Sequence, residues 1–169
     1  MNREIYPLQK VVIDGVAICL GTEQSAVETA IGKGQFVRDR YYYYDSELSI
    51  SYDSFGKVSF IEFLGGIDGK LKPIIYDISA FDADAKEIYE LLKHHNGNEI
   101  IDNERGHCYT FLNLCVGVYR ESTPESVSEM IEEAKRFGEP MNNDDIEYEM
   151  KRANHWATIG IGVAGYYQC

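Results

Sequence analysis

Basic residues are scarce in this chain of 169 residues: 16 Lys and Arg stand against 28 Asp and Glu, and the formal net charge is −12. A surface that binds phosphates needs clustered Lys and Arg, so this balance argues against nucleic acid as a direct partner and against an anionic membrane. The balance favours a basic protein partner, although a solvated acidic surface without any partner produces the same composition.

Long apolar runs and cysteine pairs are missing as well. No apolar segment approaches the roughly 20 residues of a membrane span, and Asp14 interrupts the first apolar stretch. The sequence therefore predicts neither a membrane anchor nor a signal peptide. None of the four cysteines forms a CxxC pair, which argues against a zinc site and against a disulfide framework. We expect a cytoplasmic protein with reduced thiols and no cofactor.

Motifs for catalysis and for ligand binding are also missing. The segment Gly32-Lys33-Gly34 is too short for a phosphate loop, and no serine lies in a Gly-x-Ser-x-Gly context. His94 and His95 are neighbours on a predicted helix and point to different sides, so they do not chelate one metal ion together. Cys108 follows His107 on a predicted strand and faces away from it. We predict that the protein is not an enzyme and binds no metal.

Two further residue groups bear on function. Carboxylates near strand ends leave a small hydrolase as an alternative, because hydrolysis of a glycoside needs two carboxylates at a defined separation. These residues are Glu47, Asp53, Glu62, Asp102 and Glu104. Gly160, Gly162 and Gly165 recur along a late strand, where we expect them to admit a bulky neighbour such as Tyr or Trp rather than a nucleotide.

Hydrophobic periodicity predicts a strand–helix–three-strand repeat over residues 10–64. Lys10–Ile18 is typical of a strand, and Glu23–Ile31 is typical of a helix capped by Thr22. Three strands are predicted next, at Phe36–Tyr44, Leu48–Tyr52 and Lys57–Leu64. The residues before Lys10 are expected to be a poorly fixed lead-in.

The same order recurs over residues 73–167. Ile74–Ala80 is strand-like, and Asp82 is placed to cap the following helix. Strands are predicted at Cys108–Leu112, Leu114–Val118 and Trp156–Val163. The alternating segment Leu48–Tyr52 of the first repeat aligns with Leu114–Val118 of the second.

A long insert, residues 123–155, separates the last two strands of the second repeat. Thr123-Pro124 is a cap followed by proline at the first helical position, and Asn143 is placed to cap a second helix. The sequence therefore predicts one α+β domain over residues 1–169. It consists of two strand–helix–three-strand repeats that form antiparallel sheet with helices on one side, plus an inserted helical hairpin outside the sheet layer.

The opening of the first repeat resembles the strand–helix unit of the SmpA/OmlA-like small outer-membrane assembly lipoproteins. The matching positions are Gly15, Leu20, Gly21, Thr22, Val27, Ile31 and Gly32. The resemblance covers the first repeat only. It implies topology alone, because the sequence has no lipoprotein signal and no lipid-acceptor cysteine near Met1.

Acidic residues concentrate in and around the insert. Residues 81–169 hold 17 acids and 8 bases, whereas residues 1–80 hold 11 acids and 8 bases. A small acidic α+β protein with an embellished repeat resembles, in overall character, the immunity proteins of bacterial polymorphic-toxin and contact-dependent inhibition systems. That resemblance implies a non-enzymatic inhibitor of a basic, nuclease-type toxin domain. The alternatives are a structural or adaptor domain without a charge-driven partner, and the hydrolase.

The predicted partner-binding residues follow from this hypothesis. The acids are expected to steer a basic partner, and exposed tyrosines are expected to anchor it. The acids are Glu125, Glu129, Glu132, Glu133, Asp144, Asp145 and Glu147, and the tyrosines are Tyr41 and Tyr43. The competing interpretations are a solvated helix face for the acids and a core role for the tyrosines.

Overall fold

The computed structural model describes residues 3–99, 101–102 and 104–168, with only the backbone described for 101–102. Within these residues the chain forms a five-stranded sheet, an eight-stranded sheet and four helices. The smaller sheet contains β1 (Arg3–Tyr6), β2 (Lys10–Ile13), β3 (Val16–Cys19), β8 (Ile74–Ile75) and β9 (Ile78–Ser79). The larger sheet contains β4 (Gln35–Val37), β5 (Arg40–Tyr43), β6 (Leu48–Tyr52), β7 (Val58–Phe63), β10 (Ile101–Asp102), β11 (Cys108–Phe111), β12 (Val116–Tyr119) and β13 (Thr158–Gly162). The helices are α1 (Gln24–Ile31), α2 (Ala85–His95), α3 (Pro124–Arg136) and α4 (Asn143–Ala153).

The eight-stranded sheet has two matching halves. Its order is β10-β11-β12-β13-β7-β6-β5-β4, every pair is antiparallel, and Ile161 faces Ile61 across the central β13–β7 pair. Strands β4–β7 and β10–β13 are therefore related by an approximate two-fold axis perpendicular to the sheet. The predicted α+β class with antiparallel sheet and an inserted helical hairpin is confirmed.

The same symmetry relates the first two helices. The backbone N–H of Gln24, the first residue of α1, donates to the carbonyl of Gly56 at 2.9 Å. The backbone N–H of Ala85, the first residue of α2, donates to the carbonyl of Asn154 at 2.7 Å. In each half, the start of the helix is thus tied to the segment that leads into the last strand.

The register of the strands corrects the predicted alignment by two residues. Strands β6 and β12 each follow a four-residue turn, across which Tyr43 pairs with Leu48 and Phe111 pairs with Val116. Leu48 therefore corresponds to Val116 rather than to Leu114, which lies in the turn before β12. A shift of two residues keeps every side chain on its predicted face, because side chains alternate with period two along a strand.

Three predicted single strands are hairpins in the structure. Lys10–Ile18 folds into β2 and β3, Phe36–Tyr44 into β4 and β5, and Ile74–Ala80 into β8 and β9. Each repeat therefore begins with a hairpin, and its helix is followed by four strands rather than three.

The five-stranded sheet joins the two repeats. Its order is β3-β2-β1-β8-β9, and the β1–β8 pair is parallel. The prediction that the residues before Lys10 are a poorly fixed lead-in is wrong, because Arg3–Tyr6 forms the central strand and Ile5 is buried.

Helix caps differ from the predictions by one or two positions. The N-cap of α1 is Glu23, which makes no side-chain cap bond, rather than Thr22. The N-cap of α2 is Asp84 rather than Asp82. The hydroxyl of Thr123 accepts from the N–H of Ser126, as expected for the start of α3. The N-cap of α4 is Asn142 rather than Asn143.

A single hydrophobic core lies against the inner face of the eight-stranded sheet. It combines residues of both sheets with Val27 of α1 and Ile88 and Leu92 of α2. The largest of its fully buried side chains is Trp156, which precedes β13. Within the part of the chain that the structure describes, every helix is too short or too polar to cross a bilayer.

The outer face of the same sheet is covered by aromatic rings that lie on glycines. Gly160 lies beneath the ring of Phe60, and Gly162 lies beneath Tyr166. The rings of Phe60 and Tyr166 stack with their centroids 4.6 Å apart. The prediction that these glycines admit bulky neighbours is confirmed for Gly160 and Gly162. It is wrong for Gly165, which lies after the end of β13 and has open space where a Cβ would be.

Candidate functional site

The helical hairpin formed by α3 and α4 projects from one end of the eight-stranded sheet. It joins β12 to β13, whereas the four-residue turn Asp53–Gly56 makes the equivalent connection between β6 and β7. Because β7 and β13 are antiparallel neighbours, the hairpin and the turn lie at opposite ends of the sheet.

Trp156 fixes the base of the hairpin to the core. Its indole N–H donates to the carbonyl of Ala85 at 3.0 Å, and its side chain is fully buried. Val127 of α3 and Ala153 of α4 are also buried. The base of the hairpin is thus part of the packed interior, while its outer part lies in solvent.

Arg120 also contacts the base of the hairpin. Its guanidinium donates from Nη1 to the carbonyl of Ala153 at 2.7 Å and from Nε to the carbonyl of Gly106 at 3.0 Å. It also lies over the ring of Trp156, 4.8 Å from the centroid. Burial lowers the pKa of Arg120 from its ordinary value. These contacts assign Arg120 to the attachment of the hairpin.

All seven predicted acids of the hairpin are exposed to solvent. They are Glu125, Glu129, Glu132, Glu133, Asp144, Asp145 and Glu147. Among the described residues, Glu132 alone of the seven has a basic nitrogen within 4.0 Å, that of Lys135 at 3.6 Å. The structure therefore presents nearly all of these charges uncompensated on one element.

Exposed apolar side chains accompany the acids. Phe137, which caps the C-terminus of α3, is 76% exposed, and Met130 and Tyr148 are 38% and 43% exposed. Sequence reasoning missed them. The available signal was the position of Phe137 between a charged helix end and Gly138.

The two predicted tyrosines lie elsewhere, and one of them is inside the protein. Tyr43 is only 4% exposed, and its hydroxyl is 2.7 Å from the hydroxyl of Tyr52. Burial of Tyr43 corrects its predicted role as a surface anchor. Tyr41 is half-buried between Phe36 and Tyr52, and β5 is separated from β13 by β6 and β7. The structure therefore does not bring the tyrosines together with the hairpin acids.

A cavity of about 280 Å³ lies at the foot of the hairpin. It is lined by residues 64–68, by Tyr119 of β12 and the following Glu121, and by Arg152 of α4 and the following His155. The φ of Gly66 is 55°, and a Cβ there would lie 3.3 Å from the Cα of Ala157. Glycine at this position therefore lets residues 64–68 lie against the start of β13 and close the wall.

Carboxylates and one guanidinium line this cavity. Nη2 of Arg152 lies 2.6 Å from Oε2 of Glu121, and Nη1 lies 3.5 Å from Oε2 of Glu149. The hydrogen bond to Glu121 is the main cause that raises the pKa of Arg152. The hydroxyl of Tyr148 donates to Asp68 at 2.6 Å, and this bond raises the pKa of Tyr148.

The strand-end carboxylates of the hydrolase alternative have separate contacts. Glu47 accepts from the N–H groups of Lys70 and Leu71 at 2.6 and 2.8 Å. Asp53 accepts from two N–H groups of its own turn. Glu62 pairs with Arg40 at 2.6 Å. The side chain of Asp102 lies outside the described residues, and Glu104 is exposed.

The histidine candidates do not assemble a metal site. His95 stacks on Tyr76 with ring centroids 3.6 Å apart, and His107 Nδ1 lies 3.2 Å from the carbonyl of Arg120. Across residues 3–99, 101–102 and 104–168, no group of three or more His, Cys, Asp or Glu side chains is arranged to hold a metal ion.

Comparisons with known proteins give no relative for this arrangement. The chain matches no protein-family model, no curated protein and no solved structure at a significant level.

Proposed function

We propose that this protein is a non-enzymatic binding module whose acidic hairpin engages a basic protein. The most concrete form of the proposal is an immunity protein that blocks a nuclease-type toxin domain in the cytoplasm of the producing cell. The observation that supports it is the exposure of seven acids, six of them without a basic nitrogen within 4.0 Å among the described residues, on an element that one half of the sheet has and the other half lacks.

Electrostatics supplies the reason to expect a basic partner. A nuclease holds phosphates in a positive cleft, and an acidic surface is complementary to that cleft or its rim. Attraction over long range raises association rates to roughly 10⁸–10⁹ M⁻¹s⁻¹ at low salt. An inhibitor that must arrive before a toxin acts benefits from such a rate.

Apolar contact supplies the affinity in this proposal. Binding energy concentrates in a few desolvated side chains that are often aromatic, and the surrounding charges act as a rim. Phe137 is the exposed aromatic side chain at the outer end of α3, next to Glu133 and Glu139 in sequence. Phe137 therefore takes the anchor role that Tyr43 cannot fill.

The test compares two variants with the same change in net charge. The partner is first captured from the source cell with the immobilised wild-type protein and identified by mass spectrometry. Association rates are then measured by stopped flow for the wild type, for Glu129→Lys/Glu132→Lys/Glu133→Lys on α3, and for Glu23→Lys/Glu87→Lys/Glu90→Lys on α1 and α2. All six of these acids are exposed.

We expect the α3 variant to associate at least about tenfold more slowly at low salt and to lose most of the salt dependence. The control variant should stay within about threefold of the wild type. Equal rates for both variants would contradict the assignment of the hairpin as the steering surface. Failure to capture any basic protein would refute the function.

A further inference from the structure

The cavity at the foot of the hairpin lies where a partner held by the hairpin would reach the body of the protein. Its volume is about 280 Å³, and the last turn of α4 forms one wall. Tyr119, which is 37% exposed, offers an aromatic side chain in the same wall. The cavity is thus wide enough for a long side chain and has one aromatic surface.

One carboxylate at the cavity, that of Asp68, has no cationic partner among the described residues. Asp68 receives a hydrogen bond from the neutral hydroxyl of Tyr148, and among the described residues no basic nitrogen lies within 4.0 Å of it. Two carboxylates of the lining, those of Asp68 and Glu121, stand against the guanidinium of Arg152, which also contacts Glu149 outside the lining.

Arg152 has two carboxylate partners, and they differ in position. Glu121 lines the cavity, whereas Glu149 lies outside its lining. An incoming cation can therefore take Glu121 while Arg152 keeps Glu149. This exchange leaves no charge unpaired.

We propose that this cavity receives the guanidinium group of an arginine side chain on the basic partner, which pairs with Glu121 and Asp68. Guanidinium is favoured over ammonium, because its planar fork binds two carboxylates and stacks on an aromatic ring. The proposal rests on the proposed function for the source of the arginine, whereas the chemistry of the cavity does not depend on it.

The direct test uses small probes instead of the partner. Arginine amide is titrated into the ¹⁵N-labelled protein at constant ionic strength, with citrulline amide as the control, because its side chain has the same shape but carries no charge. We expect saturable shifts of the amide signals of Gly65, Gly66 and Ala157 with arginine amide and none with citrulline amide. Lysine amide should bind more weakly than arginine amide.

Substitutions test whether arginine amide binds in the cavity. Glu121→Gln and Asp68→Asn should each raise the dissociation constant for arginine amide about fivefold. Glu139→Gln, which changes an exposed hairpin acid outside the cavity, should leave the constant unchanged. The spectrum of each variant without probe verifies that it is folded. Equal shifts with citrulline amide, or equal weakening by Glu139→Gln, would overturn the site.

Failure of this site and failure of the proposed function are distinguishable. If arginine amide binds as expected but charge reversal on α3 does not slow association, the arginine site is supported and the proposed function is contradicted. If charge reversal slows association but arginine amide does not shift the amide signals of the cavity residues, the proposed function is supported and the arginine site is refuted.

Discussion

Gly160 illustrates at the level of one residue how the outer face of the sheet is closed. A Cβ at this position would collide with the ring of Phe60. That ring is not free to move away, because it stacks on Tyr166. Gly160 is therefore required by packing, although the backbone there is ordinary strand and imposes no special conformation.

Gly160→Ala should destabilise the fold by about 1–3 kcal/mol, the usual cost of overpacking. Urea unfolding measures the loss. In a Phe60→Leu background the same substitution should cost less, because the smaller side chain leaves room for the added methyl group. Strictly additive effects in this double-mutant cycle would show that the two positions do not compete for space.

Tyr43 shows why the sequence misassigned an anchor. Tyr41 and Tyr43 are two residues apart on β5 and share a face, but alternation does not say which face is inside. The structure turns both toward the core, where the hydroxyl of Tyr43 meets that of Tyr52. Phe137 was missed for the opposite reason, since a large aromatic side chain at a helix end is normally expected to pack.

At the level of elements, the symmetry of the sheet provides a design for removing the hairpin. The turn Asp53–Gly56 joins the same two strands in the other half. A variant in which residues 124–150 are replaced by a short turn keeps Arg120, Ala153 and Trp156, whose contacts tie the hairpin base to the core.

This variant should fold, with a loss of a few kcal/mol. The loss comes mainly from Val127, because burial of one valine side chain is worth about 1.5–3 kcal/mol. Chemical denaturation gives the cost, and a dispersed amide spectrum shows whether the sheet persists. Val127→Ser, which removes the buried valine side chain but keeps the hairpin, serves as the comparison. If the replacement variant did not fold, the whole hairpin would be part of the core that folding requires.

Local sequence patterns predicted most elements but not their pairing. Alternation in Leu48–Tyr52 and the cap at Thr123 identified β6 and α3 correctly. The missed hairpin turns at Arg38-Asp39 and Tyr76-Asp77 contain no glycine, yet Arg38, Tyr76 and Asp77 have positive φ. Turns of this kind carry no strong sequence signal.

Long-range contacts account for the remaining misses. Strand β1 pairs on one side with its neighbour β2 and on the other with β8, about seventy residues away in the chain. The cavity likewise brings together residues 64–68, Glu121 and Arg152. The exposure of the hairpin acids was predictable from helical periodicity, whereas the cavity beneath them was not.

At the scale of the whole molecule, the two repeats share one core. The central β7–β13 pair joins the halves of the large sheet, and β1 beside β8 joins them in the small sheet. Buried side chains of both repeats belong to one cluster. Neither repeat has an interior of its own.

The chain should therefore unfold in one cooperative transition. Trp156, the single tryptophan, reports on the second repeat through its fluorescence. The amide signal of Ile50, on β6, reports on the first. We expect the two probes to give the same urea midpoint within error. Separate midpoints would show that the repeats are independent folding units.

The turn Asp53–Gly56 has an engineering consequence. The turn is the symmetry equivalent of the hairpin and lies at the opposite end of the sheet. Phe55 at the tip of the turn is 84% exposed. The fold therefore has two equivalent positions for a connection between these strands, and only one of them carries a long insertion. Transplanting the hairpin into the second position would produce a double-ended molecule whose two helical arms point away from each other, on opposite sides of a single small chain.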